Sequence, residues 1–511
     1  MSESNPVAAE SAITPLSILS RSPLPRLPIE LLQRLVPAQA AIAQLIARFR
    51  DSEPTPQLAF DFECRLDALL RECGKQVVEW AYNDCEPQSR GLLPPQLNVE
   101  GAWYQRCCCK TANRHVATMF GTITLMRYPY RAIEESLPCI FPLEIRLGLE
   151  RARATPAMAD RIGQYMAECT QQTVLKILGR DHGVQVSVAV LRKITAGVSE
   201  GMSAHRHTAQ VEKLLDLLME AAASRGNRRI VISAGRDGIF LPIRKASGGM
   251  PEYREGAVAT LSVFDRAGNR LGTVHLGRMP EEGQPTLSSQ LTALIQDVLK
   301  QWTGPMPRLV YVTDAGYQQT QYFKKVLRRM RNPRSPGERL TWEWVLDYFH
   351  ACQYITDLSV ALFGEGREAQ AWAAKMRNWL KNKQHGIYRV LHSAAALRQR
   401  RALVGNAKDY ETAYDYLRRR TRHLDYRSYR KLHLPIGSGV TEACCKTVFT
   451  QRLKQSGMSW CIEGGQTVVN LRVVHLSGIW ESVRAAYLRS KTNETIRTQM
   501  RIRENPVKKA A

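Results

Sequence analysis

The sequence predicts an α/β core on a mixed sheet, with an all-α insertion and, before the core, a mostly helical region that includes a small β element. Three observations support this prediction. Segment 226–348 alternates between apolar β-branched runs and amphipathic stretches, segment 349–432 is charged and helical, and segment 433–485 returns to glycine turns and apolar helices. Layered α/β domains combine such short apolar runs and helices.

The first 150 residues divide into two segments. Residues 1–55 are a Pro- and Ser-rich flexible leader followed by one helix. Residues 56–150 form a Cys-containing module, in which a helix precedes strand-like alternating runs with Gly121 in a hairpin turn. The leader lacks a basic segment followed by a continuous apolar stretch, so it does not indicate a signal peptide.

Residues 151–225 predict two or three helices. Ser187 is a suitable cap for the last one, and Arg192 and Lys193 lie along it. A short helix, a turn and a basic helix are typical of a helix-turn-helix DNA reader. Ordinary helix packing fits the same pattern equally well, so both interpretations stay open.

Within 226–348 the elements follow the order three strands, helix, strand, helix, strand. The first three strands are "RRIVISAGRDGIFLPIR", "GAVATLSVFD" and "GNRLGTVHLG", and a Thr/Ser cap opens the helix "TLSSQLTALIQDVLKQW". The strand "PRLVYVTDAG", the helix "YQQTQYFKKVLRRM" and the strand "TWEWVLDYFHA" complete the series. This order is that of the first part of an RNase H-like fold, which 433–485 would close with helices. Residues 486–511 read as a loose basic tail.

The charge balance indicates a polyanionic partner. The chain has 72 Lys and Arg against 47 Asp and Glu, a formal net charge of +25. Nucleic acid is favoured over a membrane surface because no long basic helix has a Trp/Phe/Leu face. No apolar run approaches the roughly 18 residues that cross a bilayer. An inert basic surface is the alternative interpretation.

The twelve cysteines are irregularly spaced, which favours reduced thiols in the cytoplasm over a disulfide scaffold. Cys107, Cys108 and Cys109 form the one cluster. On a strand their side chains would alternate between faces and could not all bind one ion, so zinc is not favoured there.

Three acids occupy informative places: Asp237 on the first core strand, Asp314 at the end of the fourth, and Glu442 at the start of a closing helix. In an RNase H-like sheet the first and fourth strands are neighbours, so the three carboxylates can converge. Carboxylates are ligands for Mg²⁺, and two such ions can activate a nucleophile and stabilise the leaving oxygen of a phosphodiester. Taken singly, each acid also fits a turn, a helix cap or a helix-dipole contact.

A family resemblance rests on "SAGRDGIF", "YVTDAG", "VLDYFHACQYI", "PIGSGVTEACCKTVFTQRLKQSGMSW" and "VNLRVVHLSGIW". Between residues 228 and 480 the chain resembles the ISKra-type insertion-sequence transposases, in the Mutator-like group of DDE transposases. The resemblance implies that Asp237, Asp314 and Glu442 are catalytic and metal-binding. It also implies an accessory role for Asp347 and His350, which match a D-x-x-H signature, although His350 could equally pack on the sheet. Relatives carry two zinc-binding C-x-x-C pairs that are degenerate here.

The expected function is therefore a DNA transposase that cleaves phosphodiesters at element ends and transfers the 3′ hydroxyl ends to target DNA. It would use two Mg²⁺ ions, for which Mn²⁺ could substitute. It would bind double-stranded DNA, both the terminal inverted repeats and the target, and would act as a homo-oligomer in the cytoplasm, at the bacterial nucleoid. The expected DNA contacts are Lys446, Arg452, Lys454, Arg192 and Lys193. The alternatives are an RNase H-like nuclease without strand transfer, a domesticated non-catalytic DNA-binding protein and a zinc-dependent transcription factor.

Overall fold

The computed structural model describes residues 27–99, 101–134 and 137–500. Most of the predicted leader and the end of the predicted basic tail lie outside these residues. Among the described residues, no helix is both long enough and apolar enough to cross a membrane.

The chain begins with two long helices that pack on each other, α1 (Ile29–Arg50) and α2 (Pro56–Asp84). Five short strands follow: β1 (Gln96–Val99), β2 (Ala102–Arg106), β3 (Thr111–Thr118), β4 (Gly121–Arg127) and β5 (Tyr130–Ala132). The predicted hairpin at Gly121 is confirmed, and this glycine takes a φ of 123°, where a side chain would be strained. Asn83 and Glu79 of α2 bond the backbone of Thr124 and so hold α2 on β4.

The predicted strand through the cysteine cluster is wrong. Cys107, Cys108 and Cys109 lie in the turn between β2 and β3, and all are free thiols. The alternation argument for their side chains therefore does not apply, because a turn has no alternating faces.

Four helices follow, namely α3 (Pro142–Arg146), α4 (Pro156–Glu168), α5 (Gln171–His182) and α6 (Val188–Ala223). The Ser187 cap is confirmed, since its hydroxyl accepts from the N–H of Val190 at 3.3 Å. Helix α6 has 36 residues, and it packs on α4 near its start and on the core sheet further along. The predicted helical region therefore packs directly on the core sheet through α6.

The core sheet has five strands, and the predicted order of elements is confirmed. Its elements are β6 (Val231–Ile243), β7 (Glu252–Phe264), β8 (Arg270–Arg278), α7 (Pro285–Gln301), β9 (Arg308–Thr313), α8 (Tyr317–Lys325) and β12 (Trp342–Leu346). The spatial order is β12-β9-β6-β7-β8, in which β6, β7 and β8 are antiparallel neighbours while β9 and β12 run parallel to β6.

Two local details of the core differ from the prediction. A two-stranded hairpin, β10 (Arg331–Asn332) with β11 (Ser335–Arg339), precedes β12. Helix α7 has no Thr/Ser cap: it starts at Pro285, and the Glu281 carboxylate accepts from the N–H of Thr286 at 3.1 Å.

The predicted all-α insertion is helical in the structure. Its helices are α9 (Tyr348–Phe363), α10 (Arg367–Asn382), α11 (Gly386–Arg400), α12 (Ala407–Arg418) and α13 (Tyr426–Lys431). They share a hydrophobic cluster with the sheet and α7. A second cluster, which includes residues of α4, α5, α6 and the closing helices, covers other parts of the same sheet.

The closing region starts with one continuous helical stretch, made of α14 (Gly439–Cys445), a π-helical turn (Lys446–Thr450) and α15 (Gln451–Leu453). Helices α16 (Ile462–Leu476) and α17 (Trp480–Met500) follow. The prediction of a loose tail from residue 486 is wrong as far as Met500, because α17 continues there. Its Tyr487 hydroxyl donates to Glu150 at 2.6 Å, which ties α17 to the segment after α3.

Candidate active site

Asp237 and Asp314 lie at the same level on two neighbouring parallel strands. Gly235 of β6 is paired with Val312 of β9; Asp237 follows two residues later on β6, and Asp314 comes directly after Thr313, the last residue of β9. Residues two apart on a strand point to the same face. The two carboxylates therefore face the same side of the sheet, next to each other.

Asp347 extends this row to a third parallel strand. Leu346 of β12 is paired with Thr313 of β9, so Asp347 lies beside Asp314. Its backbone N–H donates to the Thr313 carbonyl at 2.9 Å. Three adjacent strands thus each place an aspartate at the same level of the sheet.

The side chain of Asp347 is almost fully buried and fully engaged. One oxygen accepts from the N–H of His350 at 2.7 Å and caps α9, and the other accepts from the backbone N–H and the hydroxyl of Ser438. The D-x-x-H spacing has a structural cause here, because a capping carboxylate bonds the N–H three residues later. Asp347 therefore anchors both α9 and the turn before α14.

Glycine at position 235 lets α14 lie directly on the sheet. A Cβ at that position would lie 2.0 Å from Thr441 Oγ1, which is closer than atoms can approach. The Thr441 hydroxyl is instead 2.9 Å from the hydroxyl of Thr260 on β7. This contact positions the next residue, Glu442, above the strand that carries Asp237.

The carboxylate of Glu442 is connected to Asp347 through one hydroxyl. Ser438 Oγ lies 2.5 Å from Glu442 Oε1 and 2.6 Å from Asp347 Oδ2. A serine hydroxyl has one hydrogen to donate. The hydroxyl can therefore donate to only one of the two carboxylates at a time.

Like charge and burial act together on Asp237. Burial raises the pKa of this carboxyl to about 6, with further increases from the charges of Asp314 and Glu442. The N–H of Gly238, 2.8 Å away, and the Cys445 thiol donate to the carboxylate and oppose the increase. Electrostatic repulsion among the three acids is a sign that they lie close together.

Glu255 is a further acid near Asp314 that the sequence analysis did not identify. Burial raises its pKa, and the charge of Asp314 raises it further. A Cβ on Gly238 would lie 1.9 Å from the Glu255 carboxylate, so the glycine provides the space for that group. The register of β6 and β7 pairs Glu255 with Phe240, three residues after Asp237, so strand alternation places Glu255 on the face opposite to Asp237.

The helical insertion contacts the same end of the sheet. The hydroxyl of Tyr416 on α12 donates to the backbone carbonyl of Asp314 at 2.8 Å. The His350 ring meets the rings of Tyr354 and Tyr416 edge-on, at 5.2 and 5.7 Å between centroids. His350 therefore packs in an aromatic cluster behind Asp314.

Four of the five predicted DNA-binding side chains are exposed, and one is not. Lys446, Lys454, Arg192 and Lys193 all reach solvent. Arg452 is only 1% exposed, and its Nε donates to the Met166 carbonyl at 3.3 Å. Arg452 therefore does not lie on an open surface, because this face of the helix packs against α4.

The donor set fits divalent cations, although it is not assembled around one. Among the described residues, no three His, Cys, Asp or Glu side chains form a group that could hold a metal ion. Asp237 and Asp314 offer adjacent hard oxygen ligands. Burial first, and then the charges of Asp314 and Glu442, raise the pKa of Asp237, so a cation bound there would stabilise its ionised form.

In comparisons with known proteins, no family model matches this chain and no curated protein matches it.

Proposed function

We propose that this chain is a DNA transposase with an RNase H-like catalytic core. It would cleave phosphodiesters at element ends and join the 3′ hydroxyl ends to target DNA. The observation that carries the proposal is the row of Asp237 and Asp314 on adjacent parallel strands beneath the helix of Glu442. The sheet order β8-β7-β6-β9-β12, with three antiparallel strands followed by two parallel ones, is the order expected of an RNase H-like fold.

In this proposal Asp237, Asp314 and Glu442 hold two Mg²⁺ ions, which when bound would lower the pKa of a water molecule and neutralise charge on the leaving oxygen. The chain itself fixes the carboxylates. The N–H of Gly238 donates to one oxygen of Asp237 at 2.8 Å, and the N–H of Gly316 donates to one oxygen of Asp314 at 3.0 Å. These bonds orient each carboxylate before any ligand arrives, which reduces reorganisation during the reaction.

Basic residues beside the acids support a polyanionic substrate. Lys446 is exposed one turn after Glu442, and Lys454 is exposed at the end of the same helical stretch. The net charge of +25 agrees with such a partner. A DNA strand along this stretch would place phosphates next to both lysines and a phosphodiester over the acids.

The test uses duplexes made from the DNA that flanks the gene, incubated with the full chain and Mg²⁺. We expect nicking at a defined end, followed by joining of that end to a supercoiled target plasmid. Asp314→Asn should abolish both steps while leaving DNA binding intact. Asp216→Asn is the matched control, because this aspartate is exposed on α6, away from the acid row.

The outcomes separate the alternatives. Cleavage without joining would favour a nuclease of the same fold. Binding without metal-dependent cleavage would favour a non-catalytic DNA-binding protein. Cleavage that survives Asp314→Asn would refute the assignment of the acids.

A further inference from the structure

A cavity of about 770 Å³ lies between the helical region and the closing helices, apart from the acid row. Its walls are formed by the C-terminal end of α4, the N-terminal end of α5, the first turns of α6, the segment after β6, and the loop between α15 and α16. Three arginines line it, namely Arg192, Arg244 and Arg452, against one acid, Glu463. The cavity is therefore positively charged.

Arg452 carries an unsatisfied charge into this cavity. It is 1% exposed, and its Nη2 has no hydrogen-bond partner among the described residues. The charge of the buried Arg472 repels it, whereas Glu168 acts on Arg472 as an opposite charge. The Arg452 guanidinium lies over the Trp460 ring, 5.4 Å from its centroid, and no carboxylate among the described residues pairs with it. A buried cation without a counter-ion is costly, so an anion in the cavity would stabilise Arg452.

Two helix N-termini open onto the same space. Thr170, which caps α5, and Cys461, which precedes α16, both line the cavity. The first turn of a helix presents free N–H groups and the positive end of the helix dipole, which together favour phosphate. Cys461 provides no side-chain cap to α16 in the structure as described, so its first N–H groups are not bonded by that side chain.

The cavity is connected to the acid row by a single helical stretch. Arg452 follows Glu442 on the stretch Gly439–Leu453, so at about 1.5 Å per residue it lies roughly 15 Å further along. Lys446 and Lys454 are exposed on that stretch. A strand bound at the acids can continue past these lysines toward the cavity.

We infer that this cavity is a phosphate-binding site for a DNA strand, in which Arg192 and Arg244 at the rim contact a backbone phosphate and Arg452 contributes its charge from the buried wall. The identity of the polymer as DNA rests on the proposed function, whereas phosphate binding is inferred from the residues of the cavity alone. The rim arginines are both exposed, so they can be changed without disturbing the core. Guanidinium groups suit phosphate because they donate in pairs.

The first measurement is thermal denaturation of the full chain in EDTA, with inorganic phosphate against chloride at equal ionic strength. We expect phosphate to raise the Tm of the wild type. The double variant Arg192→Ala/Arg244→Ala should lose most of that increase. Arg452→Met should have a higher Tm than the wild type without phosphate and no response to it, because it removes an unpaired buried charge. Arg161→Ala is the control, since Arg161 is exposed on α4 outside the cavity.

The second measurement is duplex binding in EDTA as a function of salt. Each lost phosphate contact lowers the slope of log K against log salt by about 0.9. The rim double variant should lose about two such contacts and bind at least tenfold more weakly, whereas Arg161→Ala should match the wild type.

The results separate this inference from the proposed function. An absent phosphate response, or a phosphate response with an unchanged duplex slope, overturns the DNA-phosphate assignment even if the chain cleaves DNA. A changed slope with no metal-dependent cleavage keeps the cavity and refutes the transposase.

Discussion

The substitution Gly235→Ala tests the contact that positions Glu442. A Cβ at residue 235 would lie 2.0 Å from Thr441 Oγ1 and 3.2 Å from Thr441 Cβ. Ordinary contacts begin near 3.4 Å, so the hydroxyl must move by about 1.4 Å. Rotation of Thr441 alone does not suffice, because its Cβ stays too close and its bond to Thr260 breaks. Helix α14 must therefore shift away from β6.

The magnitude follows from two terms. Overpacking a tight core contact costs about 1–3 kcal/mol, and losing a buried hydroxyl pair costs about 1 kcal/mol. We expect Gly235→Ala to lower the free energy of unfolding by about 2–4 kcal/mol. A displacement of Glu442 by about 1 Å should reduce cleavage on the order of a hundredfold.

Urea denaturation followed by circular dichroism measures the first effect, and the duplex cleavage assay measures the second. The matched control is Gly439→Ala at the start of the same helix, where a Cβ would meet no atom within 4 Å. It should be neutral or slightly stabilising. The double variant Gly235→Ala/Thr441→Ala removes the clashing hydroxyl, so its loss of stability should be about 1–2 kcal/mol smaller than the sum of the single losses. Strict additivity, or a fully stable and active Gly235→Ala, would contradict the packing of α14 on β6.

Three further predictions concern the acids. Because burial and neighbouring charges raise the pKa of Asp237 to about 6, its contribution to stability is present at low pH and is lost as the pH rises through 6. Asp237→Asn should therefore remove this pH dependence and should be more stable than the wild type at pH 8. Thermal denaturation of both proteins across this pH range measures the effect. Cleavage, in contrast, should fall as pH drops below about 6, because Asp237 must be ionised to bind a cation, and a flat pH–rate profile would refute its role. Asp347→Ala should lower the free energy of unfolding, measured in urea, by at least about 2 kcal/mol, because a helix cap and two hydrogen bonds to Ser438 are lost together. Ser438→Ala should lower it by less. Because that variant releases Glu442, it should also cleave DNA at a lower Mg²⁺ concentration than the wild type.

Features that depend on neighbouring residues in the sequence were predictable. The core strands follow from apolar β-branched runs, and the Ser187 cap and the Gly121 turn follow from local backbone chemistry. The β10–β11 hairpin was missed because its residues are polar and rich in Arg and Pro. The α7 cap was missed because Glu281 reaches it from the preceding loop.

Features that depend on packing between distant segments were not predictable. Glu255 comes near Asp314 only through the register of β7 against β6, which no local pattern encodes. The burial of Arg452 was not predicted, since arginine is usually exposed. Its burial against Met166, 286 positions away in the chain, is a tertiary event. Asp237 and Asp314 could be paired in advance only by assuming the strand order that the structure has.

The two charged sites share one physical feature, which links them to function. At the acid row, Asp237 is buried beside Asp314 and Glu442, and its pKa is raised. At the cavity, Arg452 is buried beside Arg472, and its pKa is lowered to about 10 by burial and by the charge of that neighbour. Each arrangement costs stability in the isolated chain, and apolar side chains of similar size would avoid the cost. Under the proposed function, divalent cations would bind at the acid row and a DNA phosphate would bind at the cavity. Because both sites lie along one helical stretch, a single bound strand can contact both of them.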